Sequence, residues 1–281
     1  MTQAPRALNV GIFGAGAIGQ TMARALDAGG MDAVLAAISD QEREKAERFA
    51  AALACAPPVV SVAELVARAD LIVEAAAQAA LPEIVPLALE AGKDLLVMSV
   101  GGLLGREEWF ERAQQRGCRI HIPSGAIAGL DGIRAAGRGR LDSVTLTSRK
   151  PIAALRGSKY VAERGLDLET LREATVIFEG RPEEACRAFP ATSNVAAALR
   201  LAAGAAANVS VRIVADPRGT ENVHEIEARG EFGRLQVKVE NVPSASNPRT
   251  SQLAAFSALA TLAEIAAHRT RVVTSIFAGS K

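Results

Sequence analysis

The sequence predicts an α/β chain in two parts: an N-terminal doubly wound parallel sheet, then a smaller α+β domain with an open mixed sheet. Three observations predict it. Short apolar runs alternate with helical patterns up to about residue 125, the signature of parallel strands joined by crossover helices. A glycine-rich turn, Gly14-x-Gly16-x-x-Gly19, follows the first apolar run directly. Past residue 125 the pattern changes to the two-residue alternation of half-buried strands. Residues 1–125 are therefore assigned to a dinucleotide-binding Rossmann domain and 126–249 to an α+β domain. A last helical segment within 250–281 is expected to pack back on the first domain.

The first strand, 8–13, is Leu8-Asn-Val-Gly-Ile-Phe13, and an alanine-rich helix over 17–29 follows it. In that setting Gly14 permits the tight turn, Gly16 removes the side chain that would block a phosphate, and Gly19 lets the helix pack close to the strand. The helix start, with Ala17 and Ile18, offers free backbone N–H groups and the positive end of the dipole to an anion. The second strand, 33–39, ends at Asp40, about 20 residues beyond the last glycine, where this fold places the carboxylate that accepts from the ribose hydroxyls. Glycine turns alone are common; strand, turn, helix and acid in this order indicate a nicotinamide dinucleotide. Strands follow at 70–74, 94–98 and 118–122, separated by helices at 41–54, 79–91 and 106–116. Pro57-Pro58 breaks the chain after the second helix, and Gly92 and Gly117 stand at helix C-caps, each before a strand.

In the second domain, strands are expected at 142–148, 209–214, 222–229 and 234–240. The turn Gly230-Glu-Phe-Gly233 makes the last two a hairpin. Leu235, Val237 and Val239 face one way, while Gln236, Lys238 and Glu240 face the other. Helices at 181–188 and 193–206 cover one face of this sheet, and the last helix is expected over 250–267.

Composition narrows the function class. A net charge of +1 gives no electrostatic case for nucleic acid or an anionic membrane. One Trp and one Tyr leave few rings from which to build base-stacking platforms. No apolar run reaches the roughly 18 residues of a membrane span, and the N-terminus lacks a signal-peptide pattern. Cys55, Cys118 and Cys186 are too dispersed for a metal site or a disulfide framework, so a reducing cytoplasm is expected and no metal.

Several segments are candidates for chemistry. His224 lies in a strand where Asn222, His224, Ile226 and Ala228 share the face opposite Glu225 and Glu227. Spacing alone favours a hydrogen-bonded core histidine; the need of a dehydrogenase for a group titrating near neutrality favours catalysis. His121 ends a strand at the carboxyl edge of the sheet, and His268 sits where a cation suits a helix C-terminus. The small-residue loop 124–132, which includes Ala126, follows the last Rossmann strand and can let a flat ring approach the backbone. Before the helix at 193–206, Ser193 or Asn194 serves as N-cap, or Asn194 holds a nicotinamide carboxamide; the sequence leaves both open. Lys150 with Arg149, and Arg249 with Thr250 at the expected start of the last helix, are candidate anchors for a dicarboxylate. Cys118, in a strand with no helix N-terminus to activate it, reads as an inert buried thiol.

Taken together, Val10-Gly-Ile-Phe-Gly-Ala-Gly-Ala-Ile-Gly19, Val97-Met-Ser-Val-Gly101, Ile122-Pro-Ser-Gly-Ala-Ile-Ala-Gly-Leu-Asp131, Asn194-Val-Ala-Ala-Ala, Asn222-Val-His-Glu-Ile226 and the segment from Glu240 to Ser251 resemble the L-aspartate dehydrogenase family across nearly the whole chain. The resemblance implies oxidative deamination of L-aspartate with NAD or NADP, giving iminoaspartate and then oxaloacetate plus ammonium, in some organisms feeding NAD biosynthesis. It makes His224 the catalytic residue and puts cofactor contacts on Ala126 and Asn194. Thr192 stands where the family pattern often has a second asparagine. The resemblance also implies a homodimer, with the open sheet as its interface. Asp40 argues for NAD over NADP, and Arg43, one helical turn away, partly offsets that preference. Two other readings are a dihydrodipicolinate-reductase-like oxidoreductase, against which stands the lack of a His-His pair, and a non-catalytic NAD(H) sensor, which needs no general base.

Overall fold

A computed structural model describes residues 6–190, 192–244 and 247–270; the side chains of 243–250 and 269–270 lie outside the described residues. The first domain runs β1 (Leu8–Phe13), α1 (Ala17–Asp27), β2 (Ala33–Ser39), α2 (Arg43–Ala50), α3 (Val62–Arg68), β3 (Leu71–Glu74), α4 (Leu81–Glu90), β4 (Asp94–Val97), α5 (Glu107–Arg116) and β5 (Ile120–His121). Its five strands are all parallel, in the order β2-β1-β3-β4-β5. Each face is covered. Met22, Ala23 and Leu26 of α1 and Ala46 and Phe49 of α2 pack on one side, and Leu65, Ile84, Leu89 and Trp109 of α3, α4 and α5 on the other. Burial on both faces explains why Leu71-Ile-Val and Leu95-Leu-Val are unbroken apolar runs. The strand order reverses beside β1, so the crevice at the carboxyl ends of β1 and β3 is where such sheets bind ligands.

The second domain contains α6 (Leu130–Ala136), β6 (Leu141–Pro151), α7 (Ile152–Leu155), α8 (Lys159–Glu163), β7 (Thr175–Gly180), α9 (Pro182–Ala188), α10 (Asn194–Ala203), β8 (Val209–Asp216), β9 (Asn222–Gly230) and β10 (Gly233–Asn241). The sheet order is β10-β9-β6-β8-β7, with β6 and β8 parallel and the other pairs antiparallel. Along β6, Val144, Leu146, Ser148 and Lys150 are buried, and the intervening residues are more open. Val144 and Leu146 share a core with Val211, Ile213, Ile226, Ala228, Ile133 of α6 and Leu199 of α10. The alanine-rich α10 serves both domains: Ala197 and Ala198 belong to the core of the first, Val195, Ala196 and Leu199 to that of the second. Small side chains let one helix be approached from two sides.

The chain ends with β11 (Pro243–Ser244), β12 (Asn247–Ser251) and α11 (Gln252–Thr270). Ala258, Leu262 and Ala266 of α11 are buried in the cluster that holds Met22 and Leu26 of α1. The expected start of this helix at residue 250 is corrected: Asn247–Ser251 is a strand paired with Pro243–Ser244. A residue before proline, here Asn247 before Pro248, avoids the helical region. Ser251 then caps the helix, its Oγ accepting the Leu253 N–H at 3.1 Å.

Other boundaries move for local reasons. The strand expected at 118–122 shrinks to Ile120–His121, since the Cys118 N–H still bonds to Ala113 O at the end of α5 and Pro123 follows. The helix at 193–206 stops at Ala203, where Gly204 takes φ +84°. The segment 79–91 opens with a 3-10 turn, Gln78–Ala80, before α4. Absent from the sequence expectation are β7, α3 and the short helices α6, α7 and α8.

Candidate active site

At the carboxyl edge of the first sheet, the glycine turn is held by its neighbours. Gly14 has φ +102°, and a Cβ there would meet Ala75 carbon and Ala76 nitrogen at 2.7 Å. A Cβ on Gly19 would collide with the carbonyl oxygen of Gly14. Gly16 differs: with ordinary φ (−74°), a Cβ there would meet no protein atom nearer than Ala75 O at 3.9 Å. Packing does not require glycine at 16, so its bareness leaves room above the start of α1. No side chain caps α1, which leaves the amides of its first turn available to an anion.

Asp40, just past β2, binds the turn itself. Its Oδ2 accepts the Ala15 N–H at 2.6 Å and its Oδ1 accepts the Glu42 N–H at 2.7 Å. Each carboxylate oxygen has a further lone-pair direction. Arg43 is engaged elsewhere, with Glu47 at 2.8 Å and the Val59 carbonyl at 3.3 Å.

Glu74, at the end of β3, is fully buried. It accepts the N–H groups of Ala76 and Ser99 and the Ser99 hydroxyl, each at 2.9 Å. Burial raises its pKa, against the pull of those donors. It ties the loop after β3, against which Gly14 packs, to the loop after β4.

Between the domains lies a cleft with two distinct walls. On one side are Ile18 of α1, Met98, Val100, Pro123, the Ser124–Ala126 loop, and Thr192, Asn194 and Val195 at the start of α10. On the other are Lys150 of β6 and Asn222 and His224 of β9. Gly125 takes φ +68° and its N–H bonds to Ser257 of α11 at 2.9 Å, while Ala126 O accepts from Asn241 at 3.0 Å. Asn194 Oδ1 accepts from the Gly101 N–H at 3.1 Å and from Gln78 at 3.3 Å, which settles its local role: it bridges the domains and does not cap its own helix.

Lys150 and His224 are 3% and 4% exposed, and no carboxylate among the described residues lines the cleft with them. Desolvation pushes the Lys150 ammonium down to about 8. Desolvation and, after it, the Lys150 charge push the His224 imidazole down to about 3. The ring is therefore neutral, and the near-neutral titration expected of His224 from the sequence is corrected: burial beside Lys150 takes it away in the ligand-free site. Ser148, facing His224 across the β6–β9 ladder, shares a 2.9 Å hydrogen bond with its Nδ1. That bond fixes the ring, and Nε2 makes no hydrogen bond among the described residues.

A family model described as "Aspartate dehydrogenase, C-terminal" matches residues 131–265, and one described as "Homoserine dehydrogenase, NAD binding domain" matches residues 14–123. The L-aspartate dehydrogenase of Methanosarcina mazei is 46% identical over 262 residues, covering 92% of this chain and 97% of that protein. The chain belongs to the aspartate dehydrogenase family. The L-aspartate dehydrogenase of Bradyrhizobium diazoefficiens is 40% identical over 255 residues, 91% of this chain and 90% of that one. The crystal structure of aspartate dehydrogenase from Thermotoga maritima superposes with a TM-score of 0.69 at 25% identity, covering 96% and 99% of the two chains.

The structure brings together Ile18, Ala126, Asn194, Lys150 and His224 in one cleft, with Thr192 beside them. Gly14, Gly16, Ala17, Gly19 and Asp40 form the neighbouring turn at the start of α1. The side chains of Arg249 and Thr250 lie outside the described residues. His121 does not line the cleft, and its buried Nε2 has no partner among the described residues. Cys118 is a buried thiol whose pKa burial raises. The sequence alone did not point to Ser148 or Glu74. Both had a signal: Ser148 falls on the inward rows of the same alternation as His224, and Glu74 is a lone acid ending an apolar strand.

Proposed function

We infer that the chain is an L-aspartate dehydrogenase, taking L-aspartate, water and NAD+ to oxaloacetate, ammonium, NADH and a proton. The observation that carries the reading is the cleft, which sets a buried lysine and a neutral histidine opposite the mouth of a dinucleotide-binding turn. The site suits that cofactor: the space above Gly16 and the uncapped start of α1 take the pyrophosphate, with Gly14, Ala17, Ile18 and Gly19 shaping the turn. Asp40 accepts from the ribose hydroxyls and disfavours a 2′-phosphate, and Arg43, held by Glu47, does little to offset it. NAD is thus preferred over NADP. Ala126 and Asn194 border the nicotinamide end, and bound NAD supplies the hydride acceptor for the aspartate Cα.

Lys150 pairs with one substrate carboxylate, which stabilises its charge in a site that otherwise disfavours it. Arg249 and Thr250, on β12, are proposed for the other. His224, with Nδ1–H donated to Ser148, presents its Nε2 lone pair and takes the proton of the water that attacks the imine carbon, its basicity raised once the substrate carboxylate offsets the Lys150 charge. The chain acts as a homodimer through the open face of the second sheet.

The test is NADH formation from L-aspartate with NAD and with NADP, for the wild type and His224→Ala. The wild type is expected to favour NAD in kcat/KM. The variant should bind NADH normally and lose about 100- to 10,000-fold in kcat. A variant turning over at the wild-type rate would remove His224 from the mechanism, and a wild type inert toward L-aspartate would overturn the whole assignment.

A further inference from the structure

Asn222 is 4% exposed, lines the cleft beside His224, and its Oδ1 is buried with no hydrogen-bond partner among the described residues. A buried amide oxygen left unpaired costs stability. Its place in the sheet is specific. Ser148 pairs with His224 and Arg149 with Val223, where the β6–β9 ladder ends, and Lys150 and Asn222 are the next residues on those strands, both lining the cleft. Asn222 therefore completes a cluster with the residue proposed to hold a carboxylate and the one proposed to move a proton.

The reacting nitrogen needs an acceptor of a particular kind. As hydride leaves Cα, the nitrogen lone pair forms the C=N bond, and its N–H groups become more positive. A carboxylate beside it would hold the amine as ammonium, with no lone pair to give. A neutral amide oxygen accepts from N–H without fixing a proton, and its bond strengthens as charge develops. The described lining of the cleft contains no carboxylate, and the oxygen of Asn194 is already engaged by Gly101 and Gln78.

We propose that Asn222 recognises the reacting nitrogen, its side-chain amide accepting from the α-amino group of the substrate and from the imine N–H that replaces it. The proposal rests on the dehydrogenase reading, and its test separates the two. Asn222→Leu keeps the volume of the side chain and removes the acceptor. In the reductive direction, with oxaloacetate, ammonium and NADH, the KM for ammonium should rise about 10- to 100-fold. The KM for oxaloacetate and inhibition by succinate, a dicarboxylate without an amine, should stay near wild-type values. The ligand-free variant should melt at or above the wild-type temperature, because no protein partner is lost. An unchanged ammonium KM, an equal rise for oxaloacetate and succinate, or a lowered melting temperature would each overturn the role. Absence of activity in the wild type would instead strike at the dehydrogenase reading.

Discussion

Lys150 and His224 are a pair of basic side chains placed under cover with no counter-ion among the described residues, and that placement has a measurable cost. Lys150 falls from 10.5 in the unfolded chain to about 8 in the fold, through desolvation. Below about pH 8 both states are protonated and the penalty is fully present. As pH rises from about 8 toward 10.5, the folded protein sheds this proton while the unfolded chain keeps it, so the Lys150 contribution makes the fold more stable with rising pH. Lys150→Met should therefore stabilise the ligand-free protein at pH 7 by up to about 3 kcal/mol, with the advantage shrinking toward pH 10. Chemical denaturation across that range checks it, and a pH-independent difference would mean that Lys150 is not desolvated. The same variant should fail to bind succinate. The sequence made His224 legible through strand alternation, and Lys150 only as a cation beside Arg149 at the end of a strand. It left open whether His224 was a core residue, since alternation reports only that a side chain points inward. The opposing wall, which comes from distant segments, makes that inward space a cleft.

At the scale of elements, the glycine turn separates two uses of one residue type. Gly19 is glycine because the fold requires it: its Cβ would strike the carbonyl of Gly14. Gly16 has space around it and an unstrained backbone, so its requirement comes from a ligand. Gly19→Ala should lower stability by about 1–3 kcal/mol through overpacking. Gly16→Ala should melt like the wild type and yet bind NADH more weakly, as a methyl group intrudes on the pyrophosphate. Thermal melts and NADH fluorescence titrations on both variants separate these effects; undiminished NADH affinity in Gly16→Ala would place the phosphates elsewhere. Elements differed in legibility for physical reasons. Long periodic runs such as α1, β1 and β9 showed themselves. The capping box of Ser61 and Glu64, with bonds of 3.0 and 3.4 Å, was a readable signal for α3, but its seven residues are too few to display a period. Strand β12 was hidden because the polar Asn247–Ser251 resembles a helix start, and its pairing with Pro243–Ser244 joins segments that show no alternation.

At the scale of the whole molecule, the two sheets use their uncovered surfaces differently. The first is covered on both faces, whereas the second turns Thr145, Thr147 and Arg149 of β6, and Glu225 and Glu227 of β9, away from its helices. Ion pairs of mixed sign cross this face: Arg212 with Glu179, Arg149 with Asp216, and Glu227 with Arg229 and Arg234. Such a face can meet its own copy about a twofold axis, each positive group finding a negative one. Thr147 sits near its middle, paired with Arg212 on β8 and Glu225 on β9. Sedimentation of the wild type is expected to give a dimer, and Thr147→Glu, which adds like charge beside Glu225, a monomer. Thr147 points to the opposite side of the sheet from Ser148 and Lys150, away from the cleft. The monomeric variant should therefore keep most of its kcat/KM per subunit. A monomeric wild type would dismiss this face as the interface, and a folded but inactive Thr147→Glu monomer would show that the cleft depends on the second copy.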